Sequence, residues 1–227
     1  MTTDPPRSAR TGSTALLVAS AGMLVTMGLH PTGPETLRIA EAGGRNLAAR
    51  GVHVLALAMQ PPLLLGLLAL TRRLRARHAA ADLAMLTWAL ATVCIVVAAT
   101  ASGLIATRMV EEIAEAGGAT REWRLELMHF TAVINRAFAA LFTGFAGMAV
   151  ALWSWAMRHP ASGFPAAVAW LGLTGGAAAV LSQLTGVLRL DVRGFGLVVV
   201  VLALWLVWVA VLLRRPVAAD AASVVHP

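Results

Sequence analysis

The chain has 227 residues, 59% of them hydrophobic and only 13% charged, with a mean hydropathy of +0.77. A water-soluble protein keeps roughly a quarter of its residues charged, so a soluble globular domain is excluded and most of the surface must face lipid. Apolar runs occupy nearly the whole length and leave no room for a separate soluble domain. The net charge of +7 comes from eighteen basic residues, all of them arginine. They sit mostly in short segments between the apolar runs, where they set orientation, so no nucleic-acid partner is expected.

In chain order, the first run is Thr14 to Leu29, preceded by Arg7 and Arg10. It is long for the core of a signal peptide, and His30-Pro31 stands where a small-residue cleavage site belongs, so it is predicted to span. Residues 1–12 are predicted to be a disordered tail. Between Pro34 and Arg50, apolar residues alternate with charges, which predicts a short helix on the outer surface interrupted at Gly43-Gly44. The second run, Val52 to Leu70, carries Pro61-Pro62, where a kink is expected.

The third run, Leu83 to Ile105, keeps its helical pattern to Ala116 and stops at Gly117-Gly118. Helix then resumes after Thr120 as N-cap and continues through the fourth run, Thr131 to Trp155. Each of these two helices is roughly 36 residues, or about 54 Å, against a hydrocarbon core of about 30 Å. A hairpin projecting outward is therefore expected. Phe164 to Leu184 and Phe195 to Leu213 complete six runs of spanning length, and residues 216–227 are predicted to be a second disordered tail.

The fold class is thus all-α: a polytopic membrane protein of six transmembrane helices occupying residues 13–215. Arg72, Arg73, Arg75, Arg77, Arg158, Arg214 and Arg215 fall on the side that also holds Arg7 and Arg10, which predicts an inner-membrane protein with both termini cytoplasmic. Trp153, Trp155, Trp205 and Trp208 are expected to form an aromatic belt on that side. Cys94, the one cysteine, is expected to be a small buried hydrophobe. Gly172, Gly175 and Gly176, with Gly144 and Gly147, give small-residue faces for helix packing, and through them for a membrane-protein partner or a homo-oligomer within the lipid bilayer.

Polar residues inside the runs are the candidates for chemistry, and helix rise ranks them by depth. His53 lies about 27 Å above Thr71, His30 about 25 Å above Ser13, Gln60 about 16 Å up, and Arg136 with Asn135 about 31 Å above Met157. Gln183 and Asp191 fall near the same outer level, so an outward-facing polar pocket is expected, with Asp191 as partner of Arg136. The competing reading is that Arg136 snorkels to the headgroups while Asn135 and His53 only tie helices together.

A haem b clamped by His53 and His129 is one cofactor possibility, because two histidines on neighbouring helices can hold iron axially. By helix rise His129 is some 15 Å higher than His53, which speaks against that pair. The six-helix, histidine-bearing architecture is similar to that of b-type cytochromes in outline alone, and no residue role is carried over. A divalent-metal set is the second cofactor possibility. Glu126 and His129 share a helix face at i, i+3, and Glu111 and Glu115 at i, i+4 on the facing helix fall at similar height. Ion pairing with Arg108, Arg121 and Arg124 explains these acids equally well.

No phosphate loop, H-E-x-x-H, G-x-S-x-G or C-x-x-C motif is present. Ser182 is a weak candidate for intramembrane hydrolysis. The function expected from these residues is a non-enzymatic binding or assembly role with an outward polar pocket. The alternatives are a metal- or haem-dependent redox or hydrolytic enzyme and a small-solute transporter.

Overall fold

The computed structural model describes residues 7–30, 42–76 and 78–215, and all described secondary structure is helical. Helices α1 (Arg7–Gly28), α2 (Ala42–Ala58), α3 (Gln60–Arg75), α4 (Ala80–Ala99), α5 (Ala106–Glu115), α6 (Gly118–Met157), α7 (Ala166–Thr185) and α8 (Val192–Leu213) follow in chain order. A six-residue π-helical segment, Thr100–Ile105, joins α4 to α5. Taken as α1, α2–α3, α4–α5, α6, α7 and α8, they make six helical stretches long and apolar enough to cross a membrane.

Several boundaries differ from those read from the chain. Helix α1 begins at Arg7, so residues 7–12 are helix rather than tail, and Gly12 packs against Ala69 of α3. Residues 1–6, 31–41, 77 and 216–227 lie outside the described residues, and with them most of the expected outer surface helix and the C-terminal tail. The remainder of that surface element, from Ala42, runs without a break into the second span, and Gly43-Gly44 does not interrupt it. Its polar residues explain the extension, because they find partners on α5. Arg50 pairs with Glu111 at 3.2 Å, and the Asn46 amide donates to the Thr107 carbonyl at 3.5 Å.

The kink at Pro61-Pro62 is present as a break at Met59 between α2 and α3. Proline supplies no N–H, which leaves carbonyls one turn earlier unbonded, and Gln60 turns its own side-chain amide back to the Ala56 carbonyl at 3.1 Å. The hairpin between the third and fourth spans is tighter than expected. Its second helix begins at Gly118, not after Thr120, because Gly117 is extended and Gly118 takes φ +55°, a left-handed conformation that glycine adopts without strain. The two arms are 36 and 40 residues long, the longest of the six spans.

Around the bundle, α7 packs on α6, α6 on α4, α4 on α3, α3 on α1 and α1 on α8, while α8 meets α7 only thinly. Small residues make the seams. On α4 the buried positions are Ala81, Ala84, Trp88 and Ala91, whereas Leu86, Leu90 and Val93 point outward. Lipid is as apolar as leucine, so burial inside a membrane bundle is decided by fit rather than by hydrophobicity. The same rule corrects the aromatic belt. Trp153 and Trp205 are buried in the bundle and only Trp155 and Trp208 face outward. Trp153 donates to Thr71 Oγ1 at 3.0 Å and stands 5.9 Å from Trp88, and Trp205 donates to the Val168 carbonyl at 3.3 Å. Cys94 is buried, as expected.

Chain ends meet at one end of the bundle. Arg214 donates to Ser13 Oγ at 2.9 Å, and Ser13 donates its own hydroxyl to the Ala210 carbonyl at 2.6 Å. Arg73 reaches from α3 to the carbonyls of Leu212, Leu213 and Arg215, satisfying the last turn of α8, with its guanidinium 4.7 Å over the Phe164 ring. At the same end Arg158 lies between the rings of Trp155 and Trp170, at 4.8 and 4.6 Å.

Candidate functional site

A cavity of about 260 Å³ opens where the outer halves of α1, α2, the π segment, α5 and α6 converge with the start of α8. Its polar lining is His30, Asn46, His53, Ser102, Thr107, Thr131, His129 and Asn135, and its walls are mostly alanine with Val110, Met128 and Val192. Each element contributes for a local reason. The π-helical widening at Thr100–Ile105 turns Ser102 and Gly103 toward α2. Only glycine fits at 103: a Cβ there would lie 2.2 Å from His53 Cβ. His53 can therefore approach the third span closely enough to bond Ser102.

The His53 ring is held at both nitrogens. Nδ1 lies 2.6 Å from the Ala49 carbonyl oxygen, and Nε2 lies 2.8 Å from Ser102 Oγ. A carbonyl can only accept, so Nδ1 carries the proton, and in the neutral ring the Nε2 lone pair faces the serine hydroxyl. His30 sits edge-on to His53 with ring centroids 5.1 Å apart. Thr107 and Thr131 return their hydroxyls to carbonyls of their own helices. His129 and Asn135 have no hydrogen-bond partner among the described residues, so their donors are open to whatever enters.

Of the pocket residues expected from the chain, the structure brings His30, His53 and Asn135 together and leaves the others elsewhere. Arg136 is exposed on α6 and forms no ion pair with a described acid, so the expected pairing with Asp191 is not made. Asp191 instead caps α8, its carboxylate accepting from the Gly194 amide at 2.8 Å. A helix start offers a fixed donor at no cost in side-chain freedom, and it takes the carboxylate that a distant arginine would have needed. Gln60 closes the helix break described above, and Gln183 lies on α7, away from the cavity. Ser182 donates to the Ala179 carbonyl and borders a separate apolar cleft of about 280 Å³ between α7 and α8.

The expected metal set is not assembled. Among the described residues no three His, Cys, Asp or Glu side chains come together as a metal-binding group. Glu111 is paired with Arg50 and, at 3.9 Å, with Arg108. Arg108 and Arg124 also hold Glu112. Glu115 and Glu126 are exposed, while His129 belongs to the cavity. His129 and His53 thus line one space despite their unequal rise, because rise along a helix gives depth only when helices start level and run parallel. Haem b does not fit. The His30 and His53 rings are in edge contact, His53 is engaged at both nitrogens, and the cavity is below the ~300–1,000 Å³ of ordinary ligand sites.

Asn46, Ser102 and Thr107 do not stand out in the chain. Only Ser102-Gly103 carries a signal there, a small polar-glycine pair inside an apolar run, which marks close approach of another helix. Compared with protein-family models, curated proteins and solved structures, the chain matches none.

Proposed function

We propose that this chain is a multi-pass protein of the inner cell membrane, both ends cytoplasmic, that binds a small polar group in a cavity open to the outer face. The cavity carries the reading: eight polar side chains from four spans converge on one space within an otherwise apolar bundle, and two of them offer unspent donors. Polar groups at membrane depth are costly unless they pair or serve a ligand. Orientation is supported by the arginines at the end of the bundle where Arg214 meets Ser13 and Arg73 caps α8. The absence of carboxylates from the lining favours neutral or anionic ligands with acceptor oxygens over cations.

Ala132 borders the cavity, and Cys94, buried and the sole thiol, can be replaced by alanine to give a silent background. In right-side-out vesicles, a membrane-impermeant thiol reagent is expected to modify the Ala132→Cys variant from outside, and not a Leu74→Cys variant in the buried core. Modification only from the inner face, or of neither variant after permeabilisation, would remove the outward cavity.

A further inference from the structure

The geometry assigns Ser102 and His53 as an acyl-transfer dyad, with Ser102 the nucleophile and His53 its general base, acting on the ester carbonyl of a membrane acyl lipid. The inference rests on the outward cavity proposed above and adds a reaction to binding.

A serine becomes a nucleophile when a base within hydrogen-bond reach is itself oriented by a third group. Here Ser102 Oγ is 2.8 Å from His53 Nε2, and the opposite nitrogen is fixed at 2.6 Å on the Ala49 carbonyl. The tautomer is the productive one, since the proton on Nδ1 leaves Nε2 free to take the serine proton. A serine in an ordinary helix returns its hydroxyl to its own backbone, and Ser102 does have the Ala98 carbonyl at 3.0 Å. It also has the imidazole. One hydroxyl proton faces two acceptors, and the oxygen sits on a π-helical segment at the cavity wall, a local widening that recurs at functional sites. Asn135 and His129 line the same space with uncommitted donors, as an oxyanion requires.

Depth and wall chemistry select the substrate class. Ser102 stands about 33 Å of helix rise from Ala80, level with the outer edge of a core about 30 Å thick. Ester carbonyls of acyl lipids lie at that boundary, and the mostly apolar walls suit an acyl chain better than a peptide.

In the reaction, Ser102 Oγ bonds to the carbonyl carbon as its proton passes to His53 Nε2, and the carbonyl oxygen takes the negative charge. Collapse breaks the ester C–O bond, and the leaving alcohol takes the proton from His53. Water then adds to the acyl-serine, giving its proton to His53, and collapse releases the fatty acid while the proton returns to Ser102. The sum is ester plus water to acid plus alcohol.

The test uses the full-length protein in phosphatidylglycerol vesicles and a fluorophosphonate probe, which phosphonylates an activated serine with loss of fluoride. The expected result is one probe per chain, mapped to Ser102, lost in Ser102→Ala and slowed about 10²–10⁴-fold in His53→Gln, with fatty-acid release following the same order. Thiol labelling of Ala132→Cys in the same vesicles separates the two claims and reports whether each variant keeps its fold. Thiol labelling of that variant with Ser102 unmodified overturns the dyad and leaves the cavity standing, whereas failure of both removes the cavity as well. Phosphonylation at Ser102 with cleavage of a casein peptide and no fatty-acid release overturns the lipid-ester assignment.

Discussion

Replacing Gly176 by leucine is expected to separate α6 from α7 and to give the largest loss of stability of any single substitution in the bundle. A Cβ at 176 would lie 2.4 Å from the Gly147 carbonyl oxygen and 2.9 Å from the Ala151 amide nitrogen, and one at 147 would meet the Gly176 oxygen at 2.8 Å. Both neighbours are backbone, so no rotamer change relieves the contact. Overpacking commonly costs about 1–3 kcal/mol, and the rigid backbone on both sides puts this case at or above the upper end. Gly175 is the control, because a Cβ there meets nothing within 4 Å. Gly175→Ala is expected to be neutral or to stabilise by up to about 1 kcal/mol through helix propensity. Unfolding midpoints in mixed detergent, measured for both variants beside the parent, decide the matter. Equal midpoints would show that α6 and α7 are not packed through these glycines.

Trp153→Ala is expected to have the second largest effect, and Trp155→Ala almost none on stability. The two residues are alike in the chain, two positions apart before the arginine at 158, yet Trp153 is 0% exposed and Trp155 is 49% exposed. Truncating Trp153 leaves a void beside Trp88 and Phe142, strips Thr71 Oγ1 of its donor, and removes a joint between α3, α4 and α6. Aromatic truncations in cores cost about 3–5 kcal/mol. The lower end applies here, since lipid offers the unpacked helices no hydrophobic penalty and only fit and the hydrogen bond are lost. Trp155 instead holds Arg158 at the surface. The same unfolding measurement, run on both variants, checks the difference.

The spans were legible because length and hydropathy alone report whether a helix can cross a bilayer, and the arginine clusters fall between them. Which face of each span is buried was not, as Trp153 and Trp205 show: inside lipid, hydropathy does not distinguish a core tryptophan from an interfacial one. The glycine seam at 172–176 was legible because close backbone approach requires residues without side chains. The cavity was half legible. His30, His53 and Asn135 stand out as polar groups in apolar runs. Ser102 does not, because its role depends on a π-helical segment that shifts the register of the third span, and no pattern in the chain announces that shift. Depth alone pairs Arg136 with Asp191, and depth does not record the local competitor, the Gly194 amide, that claims the carboxylate.

The most direct test of the whole account fuses a reporter that functions on only one side of the membrane to each chain end and, separately, inserts it between Ala116 and Gly117 at the hairpin turn. Six crossings with an outward cavity require both ends to report the cytoplasm and the turn to report the exterior. Ends on opposite sides, or a turn on the same side as both ends, would contradict it.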